Sequence, residues 1–368
     1  MKILLDLRVL TKGKKGGIRE FAYFFTDHLL KNDNENFFDL FYLGLRKEKL
    51  PQNWFKSNTY LLDLKIPNKI FNFSLRFFNL PKISFFSDAK IIYSPHFNIL
   101  EKGKNQKRLL TVHDISFLYF KKFFSVKHLI WHWFQNFKKQ ILDSDFIFTV
   151  SNSTKKDLIE KFKIKEDNIG VLYPGINPIY QFKKELVEKK PYILYVGAVE
   201  PRKNLSNLIK AFNLLKEQKK FKDFKLIIVG FWGWLFQDVL KTYKNSPYKK
   251  DIIFTGFLEE EEVLKLYHQA MVFVYPSYFE GFGFPPLEAQ KCGLPVIVSE
   301  IEVFKETLKN SALFVKPDNF QEIYFALEAI LDNNKLKESL IKKGLENSQR
   351  FYWQKTIQEF KLWLSKIQ

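Results

Sequence analysis

What most limits the folds open to this chain is an alternation, in both halves, of short apolar runs with longer stretches of helical spacing. In the first half Ile3–Asp6, Phe38–Leu43, Ile91–Ser94, Leu109–Val112 and Phe146–Val150 read as strands; Gly17–Leu30, Val126–Leu142 and Ser153–Phe162 read as helices. In the second half the strands are Tyr192–Gly197, Leu226–Gly230, Ile252–Gly256, Val272–Tyr275, Val296–Ser299 and Leu313–Lys316. Helices follow at Asn204–Lys216, Glu260–Gln269, Pro286–Lys291, Phe320–Leu331 and Leu336–Arg350. This is the pattern of parallel α/β sheets, and the expected class is α/β with two doubly wound, Rossmann-like domains. A chain of 368 residues is long enough for two cores. Turn and linker chemistry at Tyr173–Pro191 (Tyr173-Pro174-Gly175, Asn177-Pro178, then the charged Lys183–Lys190) divides a first domain, 1–180, from a second, 188–350. In such sheets ligands bind at the carboxyl ends of the strands. The motifs of this chain cluster there.

Composition narrows the setting. The single cysteine, Cys292, excludes an internal disulfide, fits a reducing compartment and reads as a small buried residue. Met1–Leu10 is short and interrupted by Asp6 and Arg8, so it reads as a first strand rather than a signal peptide. No apolar run approaches the roughly 20 residues needed to span a bilayer. The expected location is the cytoplasm or the inner face of the plasma membrane. The net charge of +19 admits nucleic acid, anionic lipid or phosphorylated small molecules as partners. Because the lysines are spread along the whole chain, no dedicated nucleic-acid face, and no nucleic-acid partner, is expected. Aromatics reach 17%, with 41 Phe, which implies a Phe-rich core or a surface that touches lipid.

The segment Ser277–Pro295 reads SYFEGFGFPPLEAQKCGLP. Gly281 and Gly283 permit a tight turn and close approach to a ligand, and Pro285 and Pro286 suit the first turn of a helix. Glu288 is expected in that first turn, with Glu280 before the loop, as two acids at the edge of one pocket. A helix N-terminus favours anions, so acids beside it are better suited to sugar or ribose hydroxyls.

Other strand ends carry complementary groups. In YILYVGAVEPRKN (Tyr192–Asn204) a strand ends at Gly197, and Arg202 and Lys203 precede a helix. There they would hold a diphosphate leaving group. Gly16 and Gly17 follow the first strand through a basic loop, Lys12–Lys15, and do not form a nicotinamide-type G-x-G-x-x-G. Thr111-Val112-His113-Asp114 closes another strand, and His96 ends a third; Ser151 and Ser153 read as helix caps. No metal-ligand cluster occurs, so metal-independent chemistry is expected, with the basic pair and a helix terminus in the metal's place.

The loop S-Y-F-E-G-F-G-F-P-P-L-E-A, then C-G-L-P-V-I, resembles the signature of the retaining nucleotide-sugar glycosyltransferases of family four, which have the glycosyltransferase B fold. E-P-R-K-N resembles their phosphate-binding segment and Gly16-Gly17 their N-terminal glycine loop. T-V-H-D, VSNSTKKDL and LYPGIN match other family segments. The resemblance implies two domains facing a central cleft, with the closing helix 351–368 crossing back onto the first. It implies that Glu280 binds and orients the donor sugar, that Glu288 binds the ribose, and that Arg202, Lys203 and the Gly17 backbone stabilise the departing diphosphate. His113 would line the sugar pocket; from its own position Asp114 is expected to orient the loop, and His96, at a strand end, to touch the acceptor. Gly16, Gly197, Gly256, Leu258, Gly281, Phe282, Gly283 and Phe284 would complete the donor site. The implied donor is a nucleotide diphosphate sugar, GDP-mannose or a UDP-hexose, with no cofactor. The implied acceptor is a glycan or a polyprenyl-diphosphate-linked glycan of bacterial polysaccharide or lipopolysaccharide synthesis. The resemblance is poorest over Leu45–Lys90.

Two segments mix bases and aromatics. Asn68–Phe86 carries Lys69, Arg76 and Lys82 among six Phe, and Tyr119–Lys139 carries Lys121, Lys122, Lys127, Lys138 and Lys139 among Phe and Trp. Such surfaces dock on anionic bilayers; the helical spacing of Ile130, Phe134, Phe137 and Ile141 equally fits a buried face. Two other functions stay open at this point. A glycosidase could use Glu280 and Glu288, and a non-enzymatic nucleic-acid binder could use the positive charge.

Overall fold

The computed structural model describes residues 1–11, 16–45, 48–183 and 187–367. The basic loop Lys12–Lys15 and residues 184–186 of the charged linker lie outside the described residues. The chain forms two compact units. One comprises Met1–Ile115, Val126–Gly175 and Tyr352–Gln368; the other comprises Ser116–Ser125 and Ile176–Phe351.

The first unit is built on a parallel sheet of seven strands: β1 (Lys2–Asp6), β2 (Phe37–Leu43), β3 (Thr59–Leu64), β4 (Ile91–Ser94), β5 (Lys107–Val112), β6 (Phe146–Thr149) and β7 (Ile169–Val171). Their order is β3-β2-β1-β4-β5-β6-β7, so the winding reverses between β1 and β4. The edge strands β3 and β7 have no counterpart among the strands read from the sequence. β3 is only half-buried or exposed along its length, so it lacks the apolar run that marks the central strands. The helix Gly17–Asn32 buries Phe21, Phe25 and Leu29. The closing helix Trp353–Ile367 packs in this unit, with the Trp353 ring against Phe21 and the Phe360 ring 5.0 Å from both Phe25 and Tyr93. Part of the phenylalanine excess is therefore core, where truncating one such ring costs about 3–5 kcal/mol.

The single helix expected over Val126–Leu142 is two: Val126–Phe134 and Phe137–Leu142. The break falls at Asn136, whose φ of 50° is left-handed, a conformation Asn tolerates better than most residues. It turns the chain, so Ile130 is exposed while Ile141 is buried. One continuous buried stripe through both is ruled out.

The second unit has a parallel sheet of six strands: β8 (Tyr192–Val196), β9 (Lys225–Val229), β10 (Ile252–Gly256), β11 (Val272–Tyr275), β12 (Val296–Ser299) and β13 (Leu313–Val315). Their order is β10-β9-β8-β11-β12-β13, with the reversal between β8 and β11. Beyond β9 the backbone passes so close to β8 that a Cβ on Gly230 would stand 2.0 Å from the Gly197 carbonyl oxygen, and its φ is +141°. The piece Ser116–Ser125 belongs to this unit. The Phe123 ring stacks on Tyr278 at 5.3 Å, and Trp234 Nε1 donates to the Phe123 carbonyl at 2.6 Å. The basic-aromatic stretch Tyr119–Lys139 is thus divided between the two units.

Candidate active site

At a topological switch point two neighbouring strands send their following loops apart and leave a crevice between them. In the second unit those strands are β8 and β11, and the two loops carry the charged motifs. After β8 the chain runs through Glu200 and a short turn at Pro201–Lys203 to Asn204. Asn204 is left-handed, with φ of 60°, and its side-chain amide donates to the carbonyls of Pro276 and Pro317. That contact fixes the β8 loop against the loop after β11, and Tyr278 N donates to Arg202 O at 2.9 Å.

The charged groups then meet. Lys203 Nζ donates to Glu280 Oε1 at 2.6 Å and to the Tyr275 hydroxyl at 2.5 Å. Arg202 donates to Glu280 Oε2 at 3.0 Å, to Glu200 Oε1 at 2.9 Å and to the Phe279 carbonyl at 2.6 Å. Glu200, Lys203 and Glu280 are buried. Burial alone would raise the Glu280 pKa; the charges of Arg202 and Lys203 outweigh it and hold the carboxyl down to about 2. Glu280 is therefore an anion throughout the physiological range. A carboxylate so fixed accepts hydrogen bonds and does not deliver a proton, which removes the basis for a glycosidase acid at this position.

Gly283 precedes the helix Phe284–Lys291 in a left-handed conformation, with φ of +91°; a Cβ there would lie 2.5 Å from the Phe304 ring. Because the helix begins at Phe284, Glu288 stands in its second turn and not, as expected, in its first. Nor do the two acids share an exposed edge: Glu288 is buried and accepts from the Tyr267 hydroxyl at 2.9 Å. Burial, with the Glu288 charge beside it, pushes the Tyr267 phenol far above its usual pKa, so it stays a donor. Gly281 and Phe282 are buried in the loop, and the Phe282 ring meets Phe284 and Phe351. Gly197 follows β8 with φ of +155°; Gly256 ends β10 with φ of +74° and open space where a Cβ would stand, and Leu258 follows, half-buried.

The remaining candidates lie in the first unit, at the carboxyl ends of its strands. Gly16 and Gly17 open the first helix, and both are exposed. Gly16 has an extended backbone that any residue adopts, so only space for close approach distinguishes it. His113 follows β5, is buried edge-on against Phe21, and donates from Nε2 to the Pro95 carbonyl at 2.7 Å. Burial pulls its pKa to about 4, against the opposing pull of that carbonyl and of Asp114, so the ring is neutral. His96, after β4, lies parallel to the Trp131 ring and 6.0 Å from His113. Its buried Nδ1 has no protein partner. Asp114 is half-buried.

The sequence reading missed Glu200, Tyr275 and Tyr267, which respectively anchor Arg202, Lys203 and Glu288. Glu200 stands inside the E-P-R-K-N string, so a signal was present; the two tyrosines lie within or beside apolar runs that say nothing of their hydroxyls.

Residues 57–179 match the family model described as Glycosyltransferase Family 4, and residues 177–347 match that of Glycosyl transferases group 1. The chain is 26% identical over 286 residues to O-antigen chain mannosyltransferase B of Escherichia coli, covering 74% of each chain. It is 32% identical over 246 residues to O-antigen chain mannosyltransferase RfbU of Salmonella typhimurium, covering 67% of this chain and 66% of that one. Among solved structures, a sucrose-phosphate synthase from Thermosynechococcus elongatus superposes with a TM-score of 0.77 at 17% identity, over 100% of this chain and 98% of that one. Two family models that together run from residue 57 to residue 347, laid over two parallel α/β units of glycosyltransferase B type, make this chain a member of the group 1, family four glycosyltransferases.

Proposed function

We propose that the protein transfers mannose from GDP-mannose, with retained anomeric configuration, to a hydroxyl of a lipid-linked glycan acceptor in cell-surface polysaccharide synthesis, at the inner face of the plasma membrane. The observation that carries the chemistry is the cluster of half-buried Arg202 with buried Lys203 and Glu280 at the β8/β11 switch point. Mannose and the polysaccharide pathway are supported by the O-antigen mannosyltransferases to which the chain is similar.

With Glu200 included, the cluster holds two cations and two anions. The diphosphate is therefore met by oriented N–H donors rather than by an excess of positive charge. As the anomeric bond breaks, negative charge grows on the phosphate beside Arg202 and Lys203. Positive charge grows on the sugar beside the Glu280 carboxylate. Groups already fixed by one another need no reorganisation at that moment. Among the described residues no side chain stands out as a nucleophile; in this reading the acceptor attacks on the face the diphosphate leaves, through a short-lived ion pair, and the leaving phosphate takes the acceptor proton. Glu288, steadied by Tyr267, binds the ribose. No divalent metal is required.

The test is nucleotide release from GDP-mannose and UDP-hexoses with a polyprenyl-diphosphate-linked glycan, with and without EDTA. Release from GDP-mannose that survives EDTA and is lost in Glu280→Ala is the expected result. Release from a UDP-hexose alone would replace the donor, and loss with EDTA would overturn the metal-independent mechanism.

A further inference from the structure

The helix Asn68–Phe78 is apolar on two faces. Phe71 and Leu75 turn inward and pack in a core cluster with Leu4, Phe41 and Ile83. Ile70, Phe73 and Phe77, at i, i+3 and i+7, turn outward and are exposed, and Phe78 and Phe85 beyond them are each 66% exposed. The helix Val126–Phe134 repeats this: none of its residues is buried, and Val126, Ile130 and Trp133 form an exposed i, i+4, i+7 stripe. The two helices join into one face. The Phe77 ring meets Phe134 at 6.4 Å, the Arg76 guanidinium sits 4.6 Å over Trp133, and Lys139 reaches the Asn79 side chain. Scattered exposed apolar residues are ordinary; a contiguous aromatic face of two helices is not.

Charge decides what covers it. No Asp or Glu occurs between Asp63 and Asp88, nor between Asp114 and Asp143. Among the described residues, no acid pairs with Lys69, Arg76, Lys82, Lys127 or Lys138. Phe and Trp interleaved with unneutralised Lys and Arg match the boundary between anionic headgroups and acyl chains, where rings enter and ammonium groups stay at the phosphates. No described helix is long and apolar enough to cross a membrane, so attachment through this face is peripheral.

We infer that the outward face of Asn68–Phe78, Phe85 and Val126–Phe134 docks the protein on an anionic lipid bilayer. Phe123 and Phe124, which the sequence groups with the second segment, belong to the other unit. The inference deepens the lipid-linked acceptor reading and rests on it for its purpose.

The experiment is co-sedimentation of the full-length chain with phosphatidylcholine vesicles and with vesicles containing phosphatidylglycerol, without donor or acceptor. GDP-mannose and UDP binding is measured in parallel. Expected is binding to anionic vesicles alone, weakening with salt. Each of Lys69→Gln and Lys127→Gln should lower it about fivefold. Phe78→Ser with Trp133→Ser should lower it roughly tenfold or more. Nucleotide binding should be unchanged in all of these, which also reports that the variants fold. Lys249→Gln with Lys250→Gln, in the other unit, should leave vesicle binding intact. Failure to sediment with anionic vesicles, or an equal loss from the Lys249/Lys250 variant, overturns the inference. So does a dimer in solution that Phe78→Ser with Trp133→Ser converts to monomer, which would assign the face to a second copy. None of these outcomes touches the transferase reading, which fails only if no nucleotide binds.

Discussion

Lys203 and Glu280, 77 residues apart in the chain, close a buried ion pair of 2.6 Å across the strand pair at which the second sheet reverses its winding. Arg202 holds the other oxygen of the same carboxylate. The pair brings together the two motifs that the sequence shows separately, and it makes each residue's role depend on the other.

Glu280→Gln keeps the shape and removes the charge, leaving the buried Lys203 and the half-buried Arg202 partly unpaired. The expected loss is about 3–5 kcal/mol of stability, read by urea denaturation at neutral pH, together with loss of donor turnover. A variant as stable as the parent would show that the cations are solvated.

The same carboxyl makes stability depend on pH. Its folded pKa of about 2 lies below the ordinary 4.5, so its contribution is full above pH 4.5 and is lost as pH falls towards 2. The shift corresponds to about 3 kcal/mol. Denaturation midpoints of the parent should fall through that window more steeply than those of Glu280→Gln.

Lys203→Ala should lower turnover about 10²–10³-fold if the ammonium meets charge that develops on the leaving diphosphate. Single-turnover rates at saturating donor separate this from weakened donor binding. An unchanged rate would remove Lys203 from the reaction.

Tyr267→Phe leaves Glu288 without the hydroxyl that steadies it. A raised donor KM, about tenfold, with little change in kcat is expected of a residue that positions a ribose ligand. A fall in kcat at unchanged KM would place Glu288 in the chemical step.

His113 is buried and neutral, with a folded pKa of about 4 against an ordinary 6.5. The folded state therefore resists protonation, and stability is lost as pH falls from 6.5 towards 4. His113→Gln, which can still donate to Pro95 O, should flatten that slope. NMR titration should show no His113 ionisation between pH 5 and 8.

By itself the sequence determined the parallel α/β class, most strand positions and the helices that follow them, because an apolar run bounded by turn residues has few local alternatives. It also marked Gly283, whose left-handed backbone and contact with Phe304 admit no side chain. It did not reveal the helix Asn68–Phe78 or strand β3, where the pattern is mixed because one face or one edge meets solvent. Only tertiary structure decided which strands are neighbours, and so that Glu280 meets Arg202 and Lys203. It also turned Glu288 away to Tyr267. The phenylalanines show the physical reason most plainly. Phe71 and Phe73 stand two residues apart on one helix, one in the core and the other in solvent. Hydrophobicity is a property of the residue, but burial belongs to whatever element comes to lie against it.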